Sequence, residues 1–423
     1  MNGKKILMGS LVAGGALALL RLAFARVPSA KQASKLSSYA AIDAYLAQQM
    51  QRLSIPGAAL AIVEGKKIVH LCGLGTAWPG GEAPTPQTPF MIGSLTKSIT
   101  ALAVMQQVEA GRIELDAPVT HYLPWFRVMP PQDPQADRSP GAGITVRHLL
   151  NQTSGLPMLA GMVGLGNFDT RPDAAERQAR ALATLRLNHP AGAVCEYCNL
   201  NYNLLGLILE AVSGEKYADY VQKHIFDPLE MRHSYTSREA AKQNGMAAGH
   251  RYWFGLPVPA PELPIPQASI ASGQLFSCSE DMAHFLIAQL NGGRFGKSQI
   301  LSEAGIQELQ RGEVEYIAMG ISSGRYAMGW FDMQEGQTRV LSHGGNVPDY
   351  SAYMCLLPEQ KKGALLLINA DHYGLPPVMA EIGAGIAALL AGQQPGPMRL
   401  GFLPWLMRAL PLIPILQIAG AAA

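Results

Sequence analysis

A hydroxyl and an amine lie three positions apart in the stretch FMIGSLTKSITALAVMQQVEAG, which runs from Phe90 to Gly111. Ser94 precedes Lys97, and the apolar residues that follow recur at helical spacing until Gly111, which predicts a buried helix. Positions i and i+3 share a helix face, so the two groups can meet at the first turn. An amine among apolar side chains has a lowered pKa and can act as a base toward a serine, while the unpaired N–H groups of the first turn suit an oxyanion.

The S-x-x-K spacing by itself is weak, because about one or two matches are expected by chance in a chain of this length. A second match runs from Ser213 to Lys216 and lies in the polar turn Ser-Gly-Glu-Lys. Only Ser94 opens a long apolar segment. The context therefore favours Ser94 as the reactive serine.

A phenol and a carboxamide form the single Y-x-N of the chain, at Tyr197 and Asn199, just ahead of a predicted apolar helix that Gly214 ends. On a loop that feeds a helix, tyrosine can carry a proton and asparagine can bond a substrate amide or Lys97. The alternative is structural, with Tyr197 as a buried aromatic residue and Asn199 as an N-cap.

A third polar group, His343-Gly344-Gly345-Asn346, lies between two predicted short strands at 338–342 and 351–357. Two glycines at a strand edge allow a backbone or ligand to approach closely. An ordinary Gly-Gly turn is the alternative, although a turn does not require the preceding histidine.

The elements that would position these groups are predicted helices and short strands. A helix is predicted over 38–53, a hairpin over 58–63 and 67–74, and helices over 173–187 and 281–290. Residues 252–266, with consecutive aromatics and five prolines, predict an extended surface loop. The last third predicts short strands closed by a helix over 376–390.

Composition limits the function. Thirty-three Lys and Arg against 31 Asp and Glu give a formal charge of +2, which argues against a nucleic-acid partner. Five cysteines (Cys72, Cys195, Cys198, Cys278 and Cys355) give no complete disulfide framework. The Cys195–Cys198 pair has no second C-x-x-C, and the histidines show no metal-ligand spacing, so neither a metal nor a cofactor is predicted.

Both ends of the chain are apolar. Lys4 and Lys5, an apolar run and a small-residue site at 23–25 predict a signal peptide over 1–25, with an uncleaved anchor as the alternative. Residues 393–423 predict a membrane-associated tail, either a kinked span or an in-plane helix, with a soluble docking tail as the alternative. We therefore expect an exported protein, periplasmic or at the cell surface, that contacts the membrane through its termini.

In this order, the motifs Ser94-Leu95-Thr96-Lys97, Tyr197-Cys198-Asn199 and His343-Gly344-Gly345 resemble those of serine hydrolases related to class C β-lactamases and penicillin-binding proteins. The resemblance covers about 38–390. It implies an α+β fold, with an antiparallel β-sheet flanked by helices and an inserted all-helical region. The domain would span 38–392, with a sheet lobe at 38–93 and 311–392 and a helical lobe at 94–310.

The resemblance also implies roles. Ser94 would be the acyl-forming nucleophile, Lys97 its base and Tyr197 the proton shuttle. Asn199 would orient substrate or Lys97, and His343, Gly344 and Gly345 would line the substrate strand. The N–H groups of Ser94 and Asn346 would form the oxyanion hole.

One departure bears on the substrate, because the β-lactamases usually have lysine where His343 stands, and neutral imidazole binds a carboxylate less well. The resemblance thus favours a peptidase or esterase acting on a small-molecule or peptide amide or ester, including D-amino-acid peptides. A true β-lactamase is the first alternative. A catalytically idle protein that binds cell-wall peptides or self-assembles is the second. The sequence does not indicate an oligomeric state.

Overall fold

The computed structural model describes residues 38–133, 135, 137, 139, 141, 143–165, 168–318, 321–371, 376–397 and 410. An eight-stranded antiparallel sheet organises this part of the chain, in the strand order β2-β1-β14-β13-β12-β11-β10-β9. Its strands are β1 (Gly57–Glu64), β2 (Lys67–Gly75), β9 (Val314–Ala318), β10 (Ile321–Ala327), β11 (Trp330–Glu335), β12 (Thr338–Val347), β13 (Tyr350–Leu357) and β14 (Lys362–Ile368). N-terminal strands thus pair with C-terminal ones, through β1 and β14.

The central strands β1, β13 and β14 are buried on both faces of the sheet, and the sequence of β1 shows why. Successive side chains on a strand point to opposite faces. Ala59, Ala61 and Val63 therefore join one hydrophobic core, while Ala58, Leu60 and Ile62 join the other. A nearly continuous apolar run is what a strand covered on both sides requires.

Two helices cover one face of the sheet, and a large helical region covers the other. On the first side lie α1 (Ser38–Leu53) and α13 (Pro376–Leu390). The second side holds α2 (Thr96–Glu109), whose buried residues belong to the other core. The remaining helices between α2 and β9 are α3 (Val119–Tyr122), α4 (Val146–Leu150), α5 (Met158–Leu165), α6 (Ala174–Ala181), α7 (Asn199–Ser213), α8 (Tyr217–Val221), α9 (Arg238–Gln243), α10 (Ile270–Gly273), α11 (Ser279–Leu290) and α12 (Glu303–Leu309).

The predicted fold class is confirmed, since a large antiparallel sheet is flanked by helices. The inserted region is not purely helical. It also contains two short hairpins, β4 (His250–Trp253) with β5 (Leu256–Pro259) and β7 (Arg294–Phe295) with β8 (Ser298–Gln299). A further short strand of the region, β6 (Phe276–Ser277), pairs with β3 (Phe90–Met91), which lies just before the region.

One local prediction was wrong in part, and a second was wrong. The segment 252–266 begins as the hairpin of β4 and β5, with Gly255 at its tip, where φ is +76°. Strand β4 also pairs in parallel with β15 (Ala370–Asp371), so pairing and not proline stiffness holds the start of the segment. His343 to Asn346 do not lie between two strands. They belong to β12 itself, because each pairs with a residue of β13.

The predicted signal peptide over 1–25 lies outside the described residues, and so does almost all of the predicted tail beyond residue 397. Among the helices of the described part of the chain, none has both the length and the apolar character needed to cross a bilayer.

Candidate active site

Ser94 lies in a 3₁₀ turn, Gly93–Leu95, that leads directly into α2. The helix itself begins at Thr96, two residues later than the sequence indicated. Gly93 has φ +55°, and a Cβ there would lie 2.9 Å from the backbone nitrogen of Asn346. Only glycine fits this approach, which brings the backbone beside Ser94 against the backbone of β12.

Lys97 is fully buried on the first turn of α2, and three oxygen atoms surround its Nζ. Nζ lies 2.9 Å from Ser94 Oγ, 2.8 Å from Asn199 Oδ1 and 2.6 Å from the backbone oxygen of Ser272. Asn199 reaches this position because it is the first residue of α7, and Ser272 because it lies on α10.

Burial lowers the pKa of Lys97 from 10.5 to about 7, and the nearby Cys198 raises it slightly. Desolvation penalises the charged amine, so near neutral pH much of Lys97 is the free base. A free amine has two N–H donors and one lone pair. The oxygens of Asn199 and Ser272 can only accept, so they take the two donors and leave the lone pair facing the Ser94 hydroxyl.

Tyr197 completes the group around the serine. Its ring centroid lies 5.0 Å from Lys97 Nζ. Burial holds the pKa of Tyr197 well above its ordinary value, and an interaction with the Ser94 hydroxyl partly offsets this rise. The phenol is therefore protonated at neutral pH and can donate a proton beside Ser94.

Strand β12 has one open edge at the site. Its pairing with β11 ends at Ser342, opposite Phe331, whereas its pairing with β13 continues to Val347. In the described chain, residues 343–347 therefore have no strand partner on the β11 side. Gly345 approaches Ile92 so closely that a Cβ would lie 2.2 Å from the Ile92 oxygen, and a Cβ on Gly344 would meet no atom within 4 Å. Gly344 therefore leaves open space, and Gly345 permits close contact with the turn that carries Ser94.

His343 is 1% exposed and packs in an aromatic group. Its ring centroid lies 5.4 Å from that of Phe331 and 6.1 Å from that of Tyr197. Nδ1 lies 2.7 Å from the Gly344 oxygen. Burial, with a smaller effect of Lys97, lowers the pKa of His343 to about 3, so the imidazole is neutral over the physiological range.

A cavity of about 670 Å³ opens over these groups. Six of the predicted site residues line it, namely Ser94, Tyr197, Asn199, His343, Gly344 and Asn346, while Lys97 lies beneath Ser94 and Gly345 is covered by the turn before Ser94. The Asn346 side chain points elsewhere, since its Nδ2 lies 3.1 Å from Asp371 Oδ1. Only the backbone of Asn346 is thus left for the predicted oxyanion hole.

The apolar walls of the cavity and one polar contact could not be predicted from the sequence. Met158, Met162, Tyr316 and Phe331 line the cavity, yet no motif marked them, because wall residues need only be large and apolar. The Ser272 carbonyl was also missed, since a backbone oxygen leaves no mark on side-chain patterns.

The second S-x-x-K match has a structural role. Ser213 Oγ bonds the Leu209 oxygen at 2.6 Å at the end of α7, and Lys216 Nζ lies 3.1 Å from Glu210. Cys195 and Cys198 are both free and buried.

Comparison with protein families gives a match over most of the chain. A family model described as Beta-lactamase matches residues 42–387. Protein flp of Staphylococcus aureus strain MW2 is 27% identical over 347 residues, which are 82% of this chain and 66% of that protein. The chain thus spans just under two thirds of that relative. Penicillin-binding protein 4 of Amycolatopsis lactamdurans is 30% identical over 328 residues, 74% of this chain and 81% of that one.

Solved structures agree on the fold. The octameric penicillin-binding protein homologue from Pyrococcus abyssi is 28% identical with a TM-score of 0.72. The match covers 86% of this chain and 79% of the homologue's chain. SurE, solved with D-Leu, has a TM-score of 0.67 at 21% identity, covering 85% of this chain and 78% of its own, a likeness of fold alone.

Proposed function

Because this chain belongs to the β-lactamase family, we propose that it is a serine hydrolase that forms an acyl-enzyme on an amide or ester. One observation supports the proposal most strongly. The Nζ atom of the fully buried Lys97 lies 2.9 Å from Ser94 Oγ, and its other two oxygen neighbours, on Asn199 and Ser272, can only accept hydrogen bonds, so the free amine can direct its lone pair at the Ser94 hydroxyl.

In the proposed reaction, Lys97 accepts the proton of Ser94 while Oγ attacks the carbonyl carbon of the substrate. The oxyanion that forms accepts hydrogen bonds from the backbone N–H groups of Ser94 and Asn346. The C–N or C–O bond then breaks, and the leaving group takes a proton from Tyr197, which regains it from Lys97. Water attacks the acyl-enzyme by the reverse route, releasing the acid and restoring the Ser94 hydroxyl.

The charges around the cavity indicate the substrate class. Among the described residues that line it, none is lysine or arginine. The neutral His343 supplies no cation either. A substrate carboxylate near the scissile bond would therefore lose its hydration without gaining an ion pair. We propose that the preferred substrate is an ester or amide with an uncharged, largely apolar group in this cavity.

The end of the cavity farthest from Ser94 also disfavours an anionic substrate. It is lined by Glu335 and Glu381. Glu335 pairs with Thr338, five residues before His343 on β12, or roughly 17 Å along the strand. Burial raises the pKa of Glu335, and the same loss of solvation would disfavour a substrate carboxylate at this end of the cavity.

The location stays a proposal. We propose that the protein is exported and membrane-associated, as supported by the basic and apolar pattern of residues 1–25 and the apolar composition of residues 393–423. Fusion of the first 40 residues to a reporter that is active only after export would test this. A silent fusion would count against it.

A fluorophosphonate probe tests the enzyme proposal, since it labels a serine activated as a nucleophile. We expect labelling of the wild type and of Ser213→Ala, the matched serine of the second S-x-x-K, and no labelling of Ser94→Ala. An unlabelled wild type that turns over no activated ester would favour the idle binding protein.

We also expect p-nitrophenyl ester turnover to exceed that of nitrocefin and of D-Ala-D-Ala peptides, whose carboxylates would find no cationic partner in the cavity. A preference for nitrocefin would favour the β-lactamase alternative.

A further inference from the structure

A group of potential metal ligands lies on the side of the sheet opposite the candidate active site. It consists of Asp43 on α1 and of His70 and Cys72 on β2. One donor atom from each residue lies within 4.8 Å of the other two. Cys72 packs against the core formed with α1 and α13, whereas Leu95 and Ile99, which flank Ser94 and Lys97, belong to the other core.

The local structure brings these three side chains together. His70 and Cys72 are two positions apart on a strand, so they point to the same face. Helix α1 crosses that face, and Asp43 Oδ1 lies 2.8 Å from His70 Nε2. Tyr39, one turn before Asp43, stacks on the imidazole at 5.6 Å with an interplanar angle of 11°, which fixes the ring orientation.

We propose that Asp43, His70 and Cys72 bind one divalent transition-metal ion of the zinc type. A thiolate, an imidazole and a carboxylate are the donors that zinc selects, and three protein ligands leave a fourth position for water. Zinc–ligand distances near 2.0–2.3 Å place tetrahedral donors roughly 3–4 Å apart, within the span of this group. All three residues are partly exposed, so an ion can reach them from solvent.

The position in the fold suggests what the ion does. Strand β2 forms one edge of the eight-stranded sheet, and α1 is the first described helix. The ion would join two elements whose ligands are 27 residues apart in the chain. It would pin α1 to the sheet edge and close a loop, a stabilising role separate from hydrolysis. That separation in sequence is also why no metal-ligand spacing was visible.

Cobalt(II) provides the direct test, because a cobalt–thiolate bond gives a charge-transfer band in the near ultraviolet. We expect the full chain, stripped with chelator and dialysed against Co²⁺, to retain one equivalent and show this band. Zn²⁺ should displace Co²⁺, abolish the band and raise the unfolding temperature. Cys72→Ser should lose the band, and His70→Ala should lose retained metal.

His121→Ala, which removes an exposed histidine on α3, is the matched control and should bind as the wild type does. Chelator should leave fluorophosphonate labelling of Ser94 unchanged, because the proposed metal ligands and Ser94 lie on opposite faces of the sheet. Failure of that labelling in every protein would count against the hydrolase proposal and leave the metal result intact. A wild type that retains no metal after dialysis, or a cobalt band that survives in Cys72→Ser, would overturn the proposed site.

Discussion

The depressed pKa of Lys97 gives a prediction about the pH dependence of the reaction. A lysine with its ordinary pKa of 10.5 would be free base in roughly three molecules in ten thousand at pH 7, whereas a pKa of about 7 makes that fraction about one half. The burial of this amine thus raises the population of the free base, the form that the proposed mechanism requires, roughly a thousandfold.

We expect kcat/KM for a neutral ester to rise with pH to a plateau, with an inflection near 7. Because the proton must leave Lys97 before the amine can act, the rate should fall about tenfold for each pH unit below the inflection. At pH 5 the rate should be roughly a hundredfold below the plateau. The acid product should be quantified by chromatography, so that ionisation of a phenol leaving group does not distort the profile.

Two variants separate Lys97 from the neighbouring histidine. His343→Gln should keep the inflection, because the pKa of His343 is already lowered to about 3 and its ring does not titrate in this range. Lys97→Arg should lose the inflection and at least about a hundredfold in rate, since a guanidinium stays protonated. A wild-type profile that is flat between about pH 5 and pH 9 would refute the reasoning, as would an inflection that follows His343.

Two further predictions concern the proton donor and the backbone beside the serine. Tyr197→Phe should lower kcat by about a hundredfold, the scale for a positioned proton carrier, with little change in unfolding temperature; an unchanged kcat would remove Tyr197 from the mechanism. Gly93→Ala should slow fluorophosphonate labelling and destabilise the fold by about 1–3 kcal/mol, because a Cβ would lie 2.9 Å from the Asn346 nitrogen at a φ of +55°. Gly111→Ala, with φ +68° and open space around the added carbon, is the matched control and should leave labelling unchanged; equal labelling rates in the two variants would contradict the close approach assigned to Gly93.

The sequence predicted the large apolar elements well, because their patterns follow from burial. The helix at 38–53 and the hairpin of β1 and β2 are confirmed to within a residue or two. The predicted strand ended at residue 342, before His343, because the following glycines weaken a strand pattern. Here, pairing of Gly344 with Tyr353 and of Gly345 with Ala352 across the tight turn after Val347 holds the strand together.

The predicted site residues meet in space, although their catalytic roles stay predictions. Ser94 and Lys97 could be joined from helical spacing alone. The contact of Lys97 with Asn199 joins residues 102 positions apart, and the order of motifs in a resembling family was needed to anticipate it. The Ser272 carbonyl and the aromatic packing around His343 required the fold, because they depend on how α10 and β11 pack beside the site.

The edge of β12 at 343–347, which in the described part of the chain has no strand partner on the β11 side, bears on how the proposed hydrolase could acquire new substrates. Amide and carbonyl groups along an extended backbone are the same whatever side chains a ligand carries, so this edge can hold many acyl groups in one orientation. Discrimination between substrates then depends on the side chains that line the cavity, among them Met162 and Phe331. These two side chains are not among the hydrogen-bond partners of Lys97. Replacing those side chains would redirect the selectivity of the proposed enzyme while Lys97 and Tyr197, the proposed proton-transfer groups, stay in place.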